Sequence, residues 1–356
     1  MKALVAMSGG VDSSVAAALM LEAGYDVIGV TLKQWEGADG EMPTAGCCTV
    51  GDAEDARRAA AQLDIPYYVL DYVDEFTEKV VRRFGEIYMQ GRTPNPCIEC
   101  NRTVRFHALL DRTTELGCDI LVTGHHARVT HDADGYHLRR GHDDGKDQSY
   151  VLHMLGQDEL SRIQLPIGEI TKTEVRDRAR RLGLRTADKP DSQDLCFVGD
   201  GDYRSFLREY FPETVIPGKV VTTEGEVVGD HAGTIDFTIG QRKGLGVAVG
   251  EPRYVVDIEP QTAVVTIGRR EDLLAGGCLV EELTFVSGSP PTDAAVAVKI
   301  RYRSNPIDAT LELSGDRSAL RFASPQIGVA PGQAAVLYRD DEVLGGGTIS
   351  AAIPCR

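Results

Sequence analysis

Two groups of residues have the types and spacing for chemistry. The first is Ser8-Gly9-Gly10-Val11-Asp12-Ser13-Ser14. Its two glycines let the backbone turn tightly, so that successive N–H groups converge on one anion, and the hydroxyls of Ser8, Ser13 and Ser14 add donors. A helix beginning near Ser13 brings the positive end of its dipole to the same point. The run lacks the Gly-Lys-Ser/Thr ending of a P-loop and the spacing of a dinucleotide fingerprint. A plain strand-to-helix turn would suit a lone Gly-Gly; the full run is more specific and reads as a phosphate grip.

The second group is three cysteines. Cys97 and Cys100 lie in Asn95-Pro96-Cys97-Ile98-Glu99-Cys100-Asn101, and Cys196 lies in Lys189-Pro190-Asp191-Ser192-Gln193-Asp194-Leu195-Cys196-Phe197. Pro94 and Pro96 stop the preceding helix and stiffen the loop, and a helix starting nearby exposes a thiolate by lowering a thiol pKa. The segment around Cys196 is polar and turn-rich, which predicts a reachable thiol. Cys-x-x-Cys is also half of a zinc site, but such a site needs a second Cys/His pair and Cys196 is a single downstream cysteine. Two reactive thiols on separate segments suit sulfur transfer, one carrying a persulfide and the other attacking its inner sulfur or resolving it as a disulfide. Cys118 and Cys278 sit in apolar contexts and are expected in the core; Cys47-Cys48 has no assigned role.

These residues need elements to hold them. Through the first part of the chain strands alternate with helices: strand 3–7, helix 13–23, strand 27–32, helix 53–63, strand 66–70, helix 76–90 and strand 120–123, which ends in Gly124-His125-His126. This order predicts an α/β domain with a doubly wound parallel sheet that binds its ligand at the carboxyl ends of the strands. Beyond about residue 210 short valine-rich strands and glycine turns take over, with hairpins around 222–226 and 259–261 and strands at 295–302, 309–313, 320–322 and 334–338. The expected domains are 1–210 (catalytic, α/β, Rossmann-like), 211–275 (small, mostly β) and 276–356 (a β-barrel).

Composition sets limits. A net charge of -16 argues against sequence-blind nucleic-acid binding, although a local basic face is compatible with it. Arg176, Arg178, Arg180, Arg181 and Arg185 read from charge alone as a solvated helix face. No apolar run is long enough to span a bilayer, and the start of the chain reads as a strand rather than a signal peptide, so a cytoplasmic location is expected.

Ser-Gly-Gly-Val-Asp-Ser resembles the pyrophosphate loop of the adenine nucleotide α-hydrolase-like ATPases, which cleave between the α and β phosphates and adenylylate a substrate oxygen. Adding Thr93-Pro94-Asn95-Pro96, Cys100-Asn101, Thr123-Gly124-His125, Lys146-Asp147-Gln148-Ser149-Tyr150, Pro190 to Phe197, Phe237 to Gly246 and Arg301-Tyr302-Arg303 narrows the resemblance to the bacterial tRNA-specific 2-thiouridylases, nearly end to end. That resemblance implies an ATP pyrophosphatase fold and roles for single residues. Cys196 carries the persulfide and Cys100 is its catalytic partner. Ala6, Met7, Ser8, Gly9, Gly10, Val11, Asp12, Ser13, Leu32 and Gly124 contact ATP, with Mg2+ screening the phosphates. Asn95, Pro96 and Cys97 face the target base. His125, Lys146, Asp147, Gln148, Arg301, Tyr302 and Gln333 touch tRNA. The implied partners are tRNA and a sulfur donor, either a cysteine desulfurase or a relay protein. Many members carry aspartate where this chain has Cys97. That departure raises an alternative in which Cys97, Cys100 and Cys196 are the ligands of an iron–sulfur cluster, ranked below the persulfide route.

Two rival functions differ in kind. A nitrogen-using synthetase of the same superfamily has no need of Cys100 and Cys196 and ordinarily brings a glutaminase-like nucleophile motif, which is not evident here. A non-catalytic tRNA-binding protein leaves the phosphate loop unexplained. Release of pyrophosphate from ATP on addition of tRNA separates the enzyme from the binding protein.

Overall fold

The structure is a computed structural model that describes residues 1–36, 49–191, 195–198, 202–247, 250–315 and 317–355. Cys47-Cys48 and Ser192-Gln193-Asp194 lie outside the described residues.

The apolar run at the start of the chain forms β1 (Lys2–Ala6), whose Ala3, Leu4 and Val5 are fully buried. Such a run fits a parallel strand covered on both faces. It is followed by α1 (Val11–Glu22), β2 (Asp26–Lys33), α2 (Val50–Gln62), β3 (Tyr67–Asp71), β4 (Ile120–Thr123), the hairpin β5 (Ala127–Asp132) and β6 (Gly135–Arg140), and the short β7 (Ile163–Gln164). Five of these strands form one parallel sheet in the order β3-β2-β1-β4-β7. The order reverses between β1 and β4, and the loop after β1 lies at that switch point, where such sheets bind ligands.

Two long helices form the wall beside the sheet. One runs through Val73–Phe76, Thr77–Arg82 and Arg83–Met89; the other through Pro96–Cys100, Asn101–Ala108 and Leu109–Glu115. Each is π-wound in its middle segment, a geometry that concentrates at functional sites. The first begins at Val73 rather than at Phe76 as the sequence predicts, because the Asp71 carboxylate accepts a hydrogen bond from the Val73 N–H at 3.1 Å.

The central β region contains β8 (Gly218–Thr222), β9 (Val227–His231), β10 (Tyr254–Glu259) and β11 (Val264–Gly268), in the order β10-β11-β8-β9. Both expected hairpins form. The last region contains β12 (Leu274–Phe285), β13 (Ala295–Lys299), β14 (Ile307–Ser314), β15 (Arg317–Ile327), β16 (Ala334–Arg339) and β17 (Glu342–Pro354). Pairing of β12 with both β15 and β17 closes these strands into a barrel. The hairpin β5–β6 extends the barrel sheet through Val343↔Leu138, so a piece of the first part of the chain is built into the last. The strand expected over 295–302 is shorter: β13 ends at Lys299, and Arg301-Tyr302-Arg303 occupy the turn beyond it.

Candidate functional site

The turn Met7–Gly10 is fixed through its backbone. The Ser8 N–H donates to Ser13 Oγ at 3.1 Å, Ser14 Oγ donates to the Gly10 carbonyl at 2.9 Å, and Thr31 Oγ1 donates to the Met7 carbonyl at 2.6 Å. Gly9 has φ +71°, and a Cβ there would meet the Asp52 carbonyl oxygen at 2.2 Å. A Cβ on Gly124 would lie 2.6 Å from the Ser13 nitrogen, so the end of β4 closes on the same turn. Gly10 caps α1 without a side-chain hydrogen bond, which leaves the N–H groups of the first turn directed at the space before the helix.

Charges brace the turn from outside. Lys189 Nζ donates to the Gly9 carbonyl at 3.0 Å and pairs with Asp52 at 2.7 Å and Asp55 at 2.6 Å. Lys172 Nζ bridges Asp12 at 2.7 Å and Asp191 at 2.9 Å. Asp191 also takes Lys146 at 2.9 Å and Arg176 at 2.8 Å. Burial opposes ionisation of Asp191, but the hydrogen bonds from Lys146 and Lys172 prevail and hold its pKa down to about 2. Burial likewise opposes ionisation of Asp12, and the bonds from His126 and Lys172 lower its pKa. Arg176 further donates to the carbonyls of Ala187 and Lys189 at 2.7 and 3.0 Å, which makes it a strap for this segment rather than part of a solvated face. Sequence reasoning missed Lys172 and Lys189 as neighbours of the loop. The Thr171–Glu174 capping box marks where the helix Lys172–Arg181 starts but not that it packs beside the loop.

The thiols are placed by side-chain packing. Asn95 caps the second wall helix, its Oδ1 accepting from the Ile98 N–H at 3.4 Å, with Pro96 in the first turn. Cys97 is exposed and Cys100 is buried. Gln34, itself buried at the end of β2, donates from Nε2 to Cys100 Sγ at 3.3 Å; sequence reasoning missed this contact. Cys196 is half-buried in a turn closed by the Val198 N–H on the Leu195 carbonyl at 3.1 Å. The adjacent Phe197 plugs an aromatic cluster, its ring centroid 5.1 Å from Phe206, 5.2 Å from Phe84, 5.9 Å from Phe76 and 6.4 Å from Trp35. Cys100 and Cys196 join the same apolar cluster, which also contains Leu32 and Trp35. Trp35 packs as core, and Leu32 is buried at the end of β2. Among the described residues no three His, Cys, Asp or Glu side chains are grouped so as to hold a metal ion, so the three candidate cluster ligands are not assembled as a set. Cys118 and Cys278 are core thiols, and burial pushes Cys278 up to about 12.

The barrel grips the loop that leads into the helix of Cys97. Gln333 Nε2 donates to the Thr93 carbonyl at 2.9 Å and to the Pro94 carbonyl at 3.3 Å, while the Thr93 N–H donates to the Pro331 carbonyl at 2.8 Å. Tyr302 meets Tyr150 edge-on at 5.9 Å; burial raises its pKa, helped by the nearby Asp147 and Cys97. Of the residues implied to touch tRNA or the base, Cys97 and Arg301 are exposed, and Asn95, Lys146, Gln148, Tyr302 and Gln333 are half-buried. Pro96, His125 and Asp147 are buried. The Asp147 carboxylate accepts from the N–H groups of Gly141 and Ser149 at 3.1 and 3.0 Å and shapes the loop from inside. His125 shares a 2.7 Å hydrogen bond with Thr123; burial, then Arg105, pushes its pKa down to about 3, so it is neutral at pH 7.

A glycine turn at the switch point of a parallel sheet, followed by two β modules, is the architecture expected of the ATP pyrophosphatase fold. The family profile described as tRNA methyl transferase HUP domain matches residues 1–200, the PRC-barrel domain of the same family residues 204–269, and an aminomethyltransferase β-barrel domain residues 275–349. The tRNA-specific 2-thiouridylase MnmA of Carboxydothermus hydrogenoformans is 50% identical over 98% of this chain and 97% of its own. The enzyme of the same name from Geobacter metallireducens is 46% identical over 98% and 97%. The chain belongs to the tRNA-specific 2-thiouridylase family. Solved structures match more loosely. A 4-thiouridine synthetase–RNA complex with bound ATP has 18% identity and a TM-score of 0.36, over 60% of this chain and 50% of that one. The NMN synthetase of Francisella tularensis has 18% identity and a TM-score of 0.35, over 57% and 71%.

Proposed function

We propose that this chain is an ATP-dependent tRNA-uridine 2-sulfurtransferase, converting the wobble uridine to 2-thiouridine and releasing AMP and pyrophosphate. The observation that carries the reading is that a phosphate turn at the switch point and two thiols, Cys100 and Cys196, belong to one domain, with both thiols in a single apolar cluster beside the end of β2. The family profiles are described in terms of methyl transfer, but near full-length relatives are named 2-thiouridylases, and the paired thiols suit sulfur transfer.

In this reading the ATP phosphates lie on Ser8 to Ser13, against the first-turn N–H groups of α1. Mg2+ bound with the nucleotide would screen the phosphate charge, and Asp12, the carboxylate of the turn, is held in place by Lys172 and His126. The uridine is flipped out of its stack, since its C2 is otherwise out of reach. Its C2 oxygen attacks the α-phosphorus and pyrophosphate departs. The terminal sulfur of a Cys196 persulfide attacks C2, and AMP leaves with the former C2 oxygen. The Cys100 thiolate then attacks the Cys196 sulfur and breaks the S–S bond; the thiocarbonyl stays on the base and a Cys100–Cys196 disulfide remains on the enzyme. Asn95, Pro96 and Cys97 face the base, and Lys146, Gln148, Arg301, Tyr302 and Gln333 border the tRNA, with His125 and Asp147 supporting that border from within. A cysteine desulfurase or relay protein reloads Cys196, and the reaction belongs in the cytoplasm, where tRNA and ATP meet. Nucleoside mass spectrometry after incubation with ATP, polysulfide and unmodified tRNA should show 2-thiouridine together with tRNA-dependent pyrophosphate release; pyrophosphate without thiolation on any tRNA would refute it.

A further inference from the structure

Cys97 and Cys100 differ in one respect that matters for turnover: the former is exposed, the latter buried with its sulfur on Gln34. Both lie in the helical segment Pro96–Cys100, three positions apart on one face. Helical geometry sets their Cα atoms about 5 Å apart, inside the usual span of roughly 4.4–6.8 Å for a disulfide. The disulfide left by sulfur transfer joins Cys100 to Cys196, and its Cys100 end is closed to a bulky reductant. Cys97, a thiol on the exposed side of the same helical turn, is placed to open it.

We propose that Cys97 is a resolving thiol, an inference that rests on the thiolation reading above. The Cys97 thiolate attacks the Cys100 sulfur in line with the Cys100–Cys196 bond. The Cys97–Cys100 bond forms, the Cys100–Cys196 bond breaks, and Cys196 leaves as a thiolate that takes up a proton and is ready for the next sulfur atom. The exchange moves one disulfide and consumes no oxidant or reductant. A dithiol reductant then attacks the exposed Cys97 sulfur, passes through a mixed disulfide there, and carries the two electrons needed to restore both thiols. The Cys196 turn, anchored by Phe197 in the aromatic cluster, need not leave its seat for reduction.

The test is one turnover of enzyme preloaded with polysulfide, with ATP and unmodified tRNA, quenched in acid, alkylated, and mapped as non-reduced peptides. The wild-type protein should show a Cys97–Cys100 pair with Cys196 alkylated, and the pair should disappear on addition of dithiothreitol. In Cys97→Ser the pair should be Cys100–Cys196, and alkylation of Cys196 per 2-thiouridine formed should fall about tenfold or more, since the neighbouring thiol's high effective concentration is lost. A Cys100–Cys196 pair that persists in the wild type, with Cys97 alkylated, overturns the exchange and leaves thiolation standing. A Cys97–Cys100 pair equally abundant without tRNA overturns it as well. Absence of 2-thiouridine with any tRNA refutes the thiolation reading, and this inference with it.

Discussion

At the Ser8–Ser13 turn, where the proposal places the ATP phosphates, nearly every constraint falls on the backbone: Gly9 at φ +71°, the Gly10 and Met7 carbonyls held by Ser14 and Thr31, and the Gly9 carbonyl held by Lys189. At the thiols the constraints fall on side chains: Gln34 on the Cys100 sulfur, Phe197 in its aromatic socket, and the barrel's Gln333 on the loop before Cys97. A backbone-built grip is preorganised by a few neighbouring residues. A thiol pair drawn from two distant segments depends on long-range packing, so the two regions should fail separately.

The largest separation is expected from Cys100→Ser or Cys196→Ser. Either should lower single-turnover thiolation by about 10^3-fold or more, as loss of a nucleophile does, while pyrophosphate release with tRNA persists. Loss of both activities together would tie the regions into one unit. Gly9→Ala attacks the other side. The positive φ and the close Asp52 carbonyl make any Cβ costly, on the order of 1–3 kcal/mol of strain before the clash is relieved, so nucleotide binding by calorimetry should be lost while the tRNA-binding surface remains.

How legible each region was follows from the same contrast. The phosphate turn and Cys-x-x-Cys are contiguous, so their glycines, hydroxyls and prolines could be read directly. Lys172 bridges Asp12 and Asp191 only because the helix Lys172–Arg181 packs beside α1, and no local pattern encodes that. The barrel was legible as a class, but β17 escaped notice because Gly345-Gly346-Gly347 dilutes its alternation. Those glycines admit the close approach of β12 and His153: a Cβ on Gly345 would meet the Thr284 carbonyl at 2.1 Å, and one on Gly346 the His153 ring at 2.6 Å. The turn at Arg301–Arg303 was read as strand because Val296 to Ile300 alternates cleanly up to its edge.

Phe197→Ala sharpens the comparison at intermediate strength. Removing a buried phenyl ring costs about 3–5 kcal/mol in a tight core, and here it unseats the Cys196 turn. Thiolation should slow about 10-fold or more with pyrophosphate release little changed, read by parallel single-turnover assays. The smallest effect concerns the join between β6 and β17. His137 lies 2.8 Å from Glu342 and 2.9 Å from Asp132, and its pKa is raised by the hydrogen bonds it donates to Glu342 first and Asp132 second. A raised histidine pKa contributes stability that is complete below the unfolded value of about 6.5 and fades as pH rises through the folded value. His137→Gln should therefore lower the melting temperature at pH 6 by on the order of 2 °C and by less at pH 9; an equal loss at both would show packing rather than charge at that join.

The most direct test of the account follows the uridine oxygen. With tRNA carrying 18O at C2 of the wobble uridine, one turnover should deliver a single 18O atom to the phosphate of AMP as sulfur takes its place on the base. AMP free of label, with 2-thiouridine formed in equal amount, would contradict adenylylation of the C2 oxygen at the Ser8–Ser13 turn.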